Sequence, residues 1–294
     1  MPTTSTRSDA ILVGLIGAGI GPSLSPAMHE READELGLRY QYRRLDLLEL
    51  DLAPDRIGEL IEAARLTGYT GLNITHPVKQ LVTAHLDTLS EEAAVLGAVN
   101  TVLFKGGKAI GYNTDASGFA RSAMTGLAEA KLDRIVLLGA GGAGAAVAHA
   151  LLGIGAGSIR VLDLDAERTA RLVDRLGAHF GRDRIGAGTM DELESAVAAA
   201  DGLVHATPTG MREHPGTAVP PEILRPDLWV AEVVYFPLET ELLAAARKAG
   251  CRVLDGGRMA VYQAVDSFRL FTGLEPDADR MLRHFDALAS QRRS

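Results

Sequence analysis

Three polar residues gather near the end of an apolar, strand-like run in the stretch GLNITHPVKQ at residues 71–80. They are Asn73, Thr75 and Lys79. Open α/β sheets carry their chemistry at the carboxyl ends of strands, which makes Lys79 a candidate for chemistry. The alternative is that Thr75 caps a helix after Pro77, with Lys79 a solvated residue of its first turn. A lysine is unfavourable at the positive end of a helix, which favours the functional interpretation.

Three further motifs place hydroxyl, amide and carboxylate side chains ahead of predicted helices or strands. They are PSLSP at 22–26 with Ser23 and Ser25, GAVNT at 97–101 with Asn100, and GYNTDASGF at 111–119 with Asn113, Thr114 and Asp115. Each alone has a structural alternative, in which Ser25 or Asp115 caps a helix and Asn100 begins a strand after a glycine turn.

A glycine-rich turn, GAGGAG at 139–144, lies between the apolar run IVLL and the alanine-rich segment AAVAHALL. Gly139, Gly141 and Gly144 fit the G-x-G-x-x-G pattern in the strand–turn–helix context that it requires. The first glycine permits the tight turn, the second lets the backbone approach a pyrophosphate, and the third lets helix and strand pack closely. The free N–H groups of the helix start then favour a bound anion. The turn predicts a dinucleotide site.

An acidic residue, Asp163, ends the strand that follows this turn and helix. A carboxylate there can accept hydrogen bonds from both ribose hydroxyls of an adenosine, and its charge repels a 2′-phosphate. Asp165 adds to that repulsion. Arg168 could turn towards a phosphate or pair with Asp165. The pattern therefore predicts NAD, with NADP less favoured.

Strand-like and helix-like segments alternate along the chain, which predicts parallel strands with helices on both faces of a sheet. The predicted strands are 11–16, 40–46, 71–75, 100–104, 108–112, 135–139, 159–165, 184–188, 201–208, 228–235 and 251–255. Helices are expected at 26–37, 54–66, from 76 to about 97, after the glycine-rich turn, up to 180, up to 200, at 239–249, at 259–272 and from 277. Gly106-Gly107 between two strands predicts a hairpin.

Composition narrows the possible functions. The chain has 294 residues, 47% of them hydrophobic, and a net charge of −8 with both signs interspersed. Its length suits two domains, and no clustered basic face indicates nucleic-acid binding. Its eight histidines show no metal-ligand spacing. No metal, nucleic acid or membrane is therefore expected as a partner.

Cysteine usage and the chain ends indicate a reducing, cytoplasmic setting. Cys251 is the single cysteine, which rules out a disulfide within the chain, and we expect it to be buried and inert. The first ten residues lack a hydrophobic run and resemble a disordered start more than a signal peptide. Arg292 and Arg293 are expected to form a solvated tail. No segment reaches the ~20 apolar residues of a membrane span.

Taken in order, the motifs resemble those of the shikimate dehydrogenase family. They are SLSP, N-I-T-x-P-x-K, G-A-V-N-T, G-x-N-T-D, GAGGAG, ATPTGM at 206–211, and G-x-M…Q-A…F…TG at 257–273. They span nearly the whole chain. The resemblance implies reversible oxidation of a ring hydroxyl of shikimate or quinate to a ketone, with hydride transfer to a nicotinamide. A homodimer is also possible by likeness to the family.

The resemblance also implies roles for individual residues. Lys79 and Asp115 would form the catalytic pair. The substrate carboxylate would be held by Ser23 and Ser25, ring hydroxyls by Thr75, Asn100, Asp115 and Gln263, with Tyr235 near the site. The cofactor would be lined by Gly139, Gly141, Gly142, Ala143, Gly144, Asp163, Arg168, Thr207, Gly257 and Met259. Lys79 could act as a neutral base, which requires burial, or as a charged group that relays the proton with Asp115.

The chain departs from the family's NADP-using members at one place. Those members often carry Asn-Arg-Thr where this chain has Asp163-Leu164-Asp165. The difference resembles the NAD-using branch that takes quinate as well as shikimate. The two serines of PSLSP resemble biosynthetic shikimate enzymes instead, so the preferred substrate stays open.

Other functions remain as alternatives. They are an NADP-linked biosynthetic shikimate dehydrogenase, a dehydrogenase of an aminated shikimate relative, and a regulatory NAD-binding module without turnover. The presence of Lys79 and Asp115 argues against the regulatory module, because a binder needs neither.

The expected architecture consists of two α/β domains. Residues 1–115 with 256–294 would form the substrate domain, and residues 116–255 a doubly wound Rossmann domain for NAD(P). We expect the substrate in the cleft between them.

Overall fold

The computed structural model describes residues 10–291. The predictions for the chain start and for Arg292 and Arg293 therefore lie outside the described residues, except at Ala10. The chain is a mixed α/β protein with two six-stranded sheets, which confirms the predicted fold class. It divides into two compact units. The first unit runs to Ser90 and adds Val99–Tyr112 and the chain from Ala264; the second comprises Glu91–Ala98 and Asn113–Gln263.

The units divide between residues 112 and 113 and between 263 and 264, three and eight residues from the predicted boundaries at 115/116 and 255/256, and segment 91–98 falls in the second unit. The boundaries of the domains stay a prediction, because compactness alone does not measure independent folding.

The first unit is built on a mixed sheet. Its strands are β1 Ile11–Gly17, β2 Tyr40–Asp46, β3 Gly71–Ile74, β4 Thr88–Leu89, β5 Thr101–Lys105 and β6 Lys108–Tyr112, in the spatial order β2-β1-β3-β5-β6-β4. Strands β1, β2 and β3 are parallel, whereas β5 is antiparallel to both β3 and β6. The antiparallel pair β5–β6 agrees with the hairpin predicted at Gly106-Gly107, whereas the expectation of parallel strands was wrong for β5 beside β3.

That hairpin is confirmed. Gly106 and Gly107 have φ of 59° and 77°, which suits a two-residue turn that needs positive φ at both positions. The helices of this unit are α1 Ser25–Glu35, α2 Ile57–Leu66 and α10 Ala278–Gln291. The predicted helix from 76 to about 97 is wrong. A 3₁₀ turn, Leu81–His85, and strand β4 lie within it, and only α3 Glu91–Leu96 is α-helical.

The second unit contains an entirely parallel sheet. Its strands are β7 Arg134–Leu138, β8 Ser158–Leu162, β9 Ile185–Gly188, β10 Gly202–His205, β11 Trp229–Glu232 and β12 Arg252–Leu254, in the order β12-β11-β10-β7-β8-β9. Its further helices are α4 Thr114–Gly126, α5 Gly142–Gly153, α6 Ala166–Phe180, α7 Leu193–Ala198 and α8 Glu241–Lys248. Helix α9, Gly257–Thr272, begins in this unit and continues into the first.

The position of β7 in the sheet explains the apolar run IVLL at residues 135–138. These residues are buried because helices cover both faces of a parallel sheet, which produces a continuous apolar run. The chain leaves β7 towards β8 and β9 on one side and returns to β10 on the other. The strand order thus reverses between β7 and β10, and open α/β sheets bind ligands at such a switch point.

Several expected absences can be compared with residues 10–291. No helix in that range is long and apolar enough to cross a membrane. The same residues contain no group of three or more His, Cys, Asp or Glu side chains that could hold a metal ion. Cys251 is buried, as expected, and its thiol donates to the carbonyl of Arg225 at 3.1 Å. Burial raises the pKa of this thiol.

Candidate functional site

The loop between β1 and α1 carries the two serines of PSLSP, and a buried carboxylate holds it in place. Asp46 is 4% exposed and ends β2. Its Oδ1 accepts the N–H of Gly19 at 2.9 Å and its Oδ2 that of Ile20 at 2.7 Å. Hydrogen bonds to an ionised acceptor are the stronger kind. Sequence reasoning gave no role to Asp46, because only the sheet brings it to this loop.

The serines themselves do not cap the helix through their side chains as the structural alternative proposed. Helix α1 begins at Ser25, and Leu24 is its N-cap residue without a side-chain hydrogen bond. The Ser25 N–H donates to the hydroxyl of Ser23 at 3.3 Å. The capping interpretation of Ser25 is therefore wrong, and a binding role for the two hydroxyls stays a prediction.

A buried hydrogen-bond chain reaches Asn100 through three strands. The Tyr42 hydroxyl donates to Asn73 Oδ1 at 2.6 Å, and Asn73 Nδ2 donates to Thr101 Oγ1 at 3.2 Å. Thr101 in turn donates to Asn100 Oδ1 at 3.0 Å. All four residues are at most 7% exposed. The chain fixes the amide orientation of Asn100. Sequence reasoning missed Tyr42 and Thr101, because their partners lie on other strands.

Thr75 and Lys79 follow β3 in a turn. The Thr75 N–H donates to Ile16 at 2.9 Å, and the carbonyl of Lys79 accepts the Val99 N–H at 2.8 Å. A Cβ on Gly17 would overlap the methyl group of Thr75, so glycine allows this close approach. No α-helix begins here, and the interpretation of Thr75 as a helix cap is wrong.

The first unit thus brings several predicted substrate residues to one edge of its sheet. The parallel strands β1 and β3 end at this edge, and the antiparallel β5 begins there. The loop with Ser23 and Ser25 follows β1, Thr75 and Lys79 follow β3, and Asn100 precedes β5. Hydroxyl and amide groups at one edge, beside a lysine, can bind a small hydroxylated ligand.

In the second unit the glycine-rich turn has the geometry that a dinucleotide requires. Gly139 has φ of 105°, in the left-handed region that favours glycine. A Cβ on Gly144 would overlap the carbonyl oxygen of Gly139, whereas one on Gly141 would meet no atom within 4 Å. Helix α5 begins at Gly142, and the N–H groups of its first turn have no partner within the helix. These residues fit a bound pyrophosphate.

Asp163 is tied to the same turn. Its Oδ2 accepts the Ala140 N–H at 2.7 Å, and its Oδ1 accepts the Asp165 N–H at 2.9 Å and Arg168 Nη2 at 2.8 Å. Burial by itself raises the pKa of Asp163, but hydrogen bonds from Arg168 and from the two backbone N–H groups outweigh it, so the pKa lies below its ordinary value. The Arg168 guanidinium therefore pairs mainly with Asp163, since it lies 3.9 Å from the Asp165 carboxylate.

In the motif around Asp115, a residue other than Asp115 caps the helix. Asn113 is the N-cap of α4 and accepts the N–H groups of Asp115 at 3.1 Å and Ala116 at 3.3 Å. Asp115 is 6% exposed and lies in the first turn. The interpretation of Asp115 as the cap is wrong. Lys79 belongs to the first unit and Asp115 to the second, and their joint catalytic role stays a prediction.

Helices α4 and α9 approach closely near this aspartate. A Cβ on Gly118 would lie 2.8 Å from the Gln263 N and 3.0 Å from the Met259 carbonyl oxygen. Gln263 Nε2 donates to Ala260 at 2.8 Å. The contact places Gln263 and Met259 on the helix that packs against the helix of Asp115. Gly257 begins α9, with its N–H bound to Asp255 at 2.9 Å.

Two residues after β10, Thr207 packs against the glycine-rich turn, since a Cβ on Gly139 would lie 3.1 Å from its methyl group. Tyr235 is half-buried in the loop after β11. The sequence analysis missed His205 and Glu232, which end these two strands as a buried pair. The signal was available, since a histidine and a glutamate interrupt two apolar strand ends.

Comparison with known proteins agrees with this geometry. Residues 15–102 match the family model described as the shikimate dehydrogenase substrate binding domain, and residues 257–284 match the shikimate 5′-dehydrogenase C-terminal domain. A shikimate dehydrogenase (NADP(+)) of Streptomyces avermitilis is 61% identical over 96% of this chain and 97% of its own length. A quinate/shikimate dehydrogenase (NAD(+)) of Corynebacterium efficiens is 50% identical over 95% of this chain and 99% of its own.

A solved structure shows the same fold. Quinate dehydrogenase from Corynebacterium glutamicum in complex with NAD superposes with a TM-score of 0.88 and 50% identity, over 95% of this chain and all of that one. The relatives, the two matching family models and the strand-end chemistry agree. This chain belongs to the shikimate dehydrogenase family and is an NAD(P)-dependent oxidoreductase that acts on a CH–OH group.

Proposed function

We propose that the protein oxidises the ring hydroxyl of shikimate or quinate to 3-dehydroshikimate or 3-dehydroquinate, reversibly, with NAD as the preferred cofactor. The observation that carries the cofactor preference is the ionised carboxylate of Asp163, hydrogen-bonded to the glycine-rich turn through Ala140 at 2.7 Å. A negative charge at this place suits the ribose hydroxyls of NAD and repels the 2′-phosphate of NADP.

The substrate assignment rests on the polar edge of the first unit. Ser23 and Ser25 would hold the carboxylate, and Thr75 and Asn100 would bind ring hydroxyls. Each buried substrate hydroxyl needs a partner, because an unpaired polar group costs about 1–3 kcal/mol. The amide of Asn100 carries both donor and acceptor groups, which suits it to bind such a hydroxyl.

A nicotinamide bound at the second unit would supply the hydride acceptor. The residues of the chain would have to remove the proton of the hydroxyl on the carbon that is oxidised. We assign Lys79 and Asp115 to the proton, with two versions of the role of Lys79. In one, neutral Lys79 accepts the proton; in the other, charged Lys79 stabilises the developing alkoxide and relays the proton with Asp115. Gln263 and Tyr235 are proposed to contact the substrate, since Gln263 lies on the helix that packs against that of Asp115.

An NADP-linked shikimate dehydrogenase is the second candidate. It is favoured by Arg168, whose side chain is 41% exposed beside Asp163 and could turn to a 2′-phosphate. The Streptomyces avermitilis relative, 61% identical, is named as NADP-dependent. Against this candidate, Arg168 is held by Asp163 in a 2.8 Å ion pair, and releasing it would leave that carboxylate without a charged partner.

Initial rates at 340 nm, with NAD or NADP crossed with shikimate or quinate, test the proposal. NAD reduction with either acid supports it, and reduction with both supports dual substrate use. A strong preference for NADP would overturn the cofactor assignment. Absence of turnover in every combination would favour an aminated substrate or a regulatory NAD-binding module.

Two variants sharpen the cofactor test. Asp163→Ala should weaken NAD binding and narrow the gap to NADP, whereas Arg168→Ala should leave NADP use no better than before. Asp191→Ala, which changes an exposed carboxylate of the same unit, is the matched control. If the ratio of the rates with NAD and NADP is unchanged in Asp163→Ala, the assignment of Asp163 to the ribose is contradicted.

A cytoplasmic location and a homodimer stay predictions.

A further inference from the structure

A buried ionisable pair joins the ends of two neighbouring strands in the second unit. His205 and Glu232 are the last residues of β10 and β11 and are direct partners in the strand register. Their side chains are 1% and 0% exposed, and His205 Nδ1 lies 2.9 Å and 3.0 Å from the two carboxylate oxygens. Burying such a pair is costly and contributes little net stability compared with apolar residues. Net stability therefore does not explain why this pair ends two neighbouring strands.

The pair extends into both loops that leave the carboxyl edge of the sheet. His205 Nε2 lies 2.5 Å from the hydroxyl of Thr207, in the loop after β10. After β11, Glu232 accepts the Val234 N–H at 3.0 Å and the Thr240 hydroxyl at 3.2 Å. Thr240 in turn caps α8. The two side chains thus fix the start of each loop relative to the other.

Thr207 occupies the switch point of the sheet. Strands β10 and β7 are neighbours, and the glycine-rich turn follows β7. The methyl group of Thr207 packs against Gly139, the first glycine of that turn. Its hydroxyl also accepts the Thr209 N–H at 3.3 Å. His205 therefore holds a hydroxyl beside the place where a dinucleotide would bind.

The direction of the hydrogen bonds follows from the carboxylate. Glu232 only accepts when ionised, so His205 Nδ1 is the donor. In neutral His205, Nε2 is then the acceptor, and the Thr207 hydroxyl donates to it. The hydroxyl oxygen already accepts the Thr209 N–H at 3.3 Å and has a second lone pair for a ligand N–H or O–H. Without His205 the hydroxyl hydrogen would lose the acceptor that fixes its direction.

We propose that His205 and Glu232 are positioning residues that hold the Thr207 hydroxyl as a hydrogen-bond acceptor for the dinucleotide cofactor. The inference rests on the proposed dinucleotide site of the second unit. His205 acts through Thr207 and does not touch the substrate, so losing the contact should weaken cofactor binding and leave substrate binding unchanged.

The test uses His205→Asn, because the Asn amide can reproduce the Nδ1 donor to Glu232 while it removes the contact to Thr207. NADH affinity is measured by fluorescence titration of the whole protein, for His205→Asn, Thr207→Val and the double variant. His179→Asn, an exposed histidine of the same unit, is the matched control. We expect each single variant to weaken NADH binding about 10-fold, the size of one neutral hydrogen bond. The double variant should be no weaker than either one.

The outcomes separate the inference from the proposed function. An unchanged NADH affinity in Thr207→Val overturns the cofactor contact of Thr207 and the inference with it. If Thr207→Val weakens NADH binding and His205→Asn does not, the inference is overturned but the cofactor contact of Thr207 stands. Losses of NADH affinity that add in the double variant overturn the inference in the same way. Wild-type protein that binds no NADH would contradict the proposed function itself.

A purely structural role is tested in the same variants. Thermal unfolding and the KM for shikimate are measured beside the NADH affinity. If His205→Asn raises the KM for shikimate as much as that for the cofactor, the pair supports the fold in general and the inference is overturned. Should His205→Asn not fold, Glu232→Met takes its place with the same expected losses, because it keeps the side-chain length and removes the acceptor that sets the His205 Nδ1–H tautomer.

Discussion

The two units hold their candidate ligand groups in different ways. In the first unit, polar side chains meet at a sheet edge and other side chains hold them, as Asp46 holds the serine loop and Tyr42 begins the chain to Asn100. In the second unit, backbone forms the site, since Gly139 and Gly144 bring a helix start close to a strand end. Side-chain positioning suits a small molecule with many hydroxyls, and exposed backbone N–H groups suit a pyrophosphate.

The largest effect is expected from removing the proposed acid–base group of the first unit. Lys79→Ala should lower kcat by about 10³-fold, within the usual range for a positioned proton-transfer group, and leave the KM for substrate within a few-fold. Steady-state kinetics checks this, with Lys105→Ala in the exposed hairpin as control. A kcat within a few-fold of wild type would make Lys79 a binding residue only.

Adding a methyl group at Gly144 tests the close backbone approach in the glycine-rich turn of the second unit. Gly144→Ala forces the Cβ against the Gly139 carbonyl and should destabilise the fold by about 1–3 kcal/mol while weakening NAD binding. Gly153→Ala, at the other end of α5, meets no atom within 4 Å and should stabilise by up to ~1 kcal/mol. Denaturant unfolding and NADH titration measure both. Equal effects of the two changes would contradict the close approach.

Acid should destabilise the first unit through His29, whose ring lies 2.9 Å from the Tyr40 hydroxyl and 3.4 Å from that of Ser267. Burial lowers the pKa of His29 from 6.5 to about 3. In the unfolded chain His29 is protonated below pH 6.5, whereas in the folded chain it stays neutral down to about pH 3. Stability should fall by about 2 kcal/mol between pH 6.5 and pH 5 from this group.

Denaturant unfolding across that pH range measures the effect in wild type, His29→Asn and the exposed His85→Asn. The slope should persist in His85→Asn and shrink in His29→Asn. A wild-type curve that is flat from pH 6.5 to pH 5 would show that His29 is not buried in its neutral form.

The smallest expected effect concerns the serine loop. Asp46→Asn removes the charge that strengthens the bonds to Gly19 and Ile20, which are worth about 1 kcal/mol more to a charged acceptor than to a neutral one. The KM for shikimate should rise about 5-fold, with kcat nearly unchanged. The exposed Asp55→Asn is the control. An unchanged KM would mean that the loop keeps its shape without this carboxylate.

The same contrast explains how much could be predicted from the sequence. The parallel sheet of the second unit and its turn followed from a buried run and spaced glycines, because the motif itself encodes the backbone shape. In the first unit, the sequence indicated Thr75, Asn100 and the hairpin at Gly106-Gly107. It did not indicate Asp46 or Tyr42, whose partners are distant in sequence.

Three local interpretations were wrong. The segment from 76 to about 97 has helical composition, yet Thr88–Leu89 pairs with β6 as an edge strand and interrupts the helix. Ser25 and Asp115 stand where caps are common, but Leu24 and Asn113 occupy the N-cap positions. Strand pairing overrode local preference in the first case, and in the other two the N-cap lies one or two residues before the expected cap.

Hydrogen–deuterium exchange with one ligand at a time tests most directly whether the first unit binds the substrate and the second unit binds the cofactor. Shikimate alone should slow exchange in residues 18–25 and 75–80 and leave residues 138–146 unchanged. NADH alone should protect residues 138–146 and the loop at 206–210 and leave residues 18–25 unchanged. Protection of the glycine-rich turn by shikimate alone, or of the serine loop by NADH alone, would contradict the assignment of substrate to the first unit and cofactor to the second.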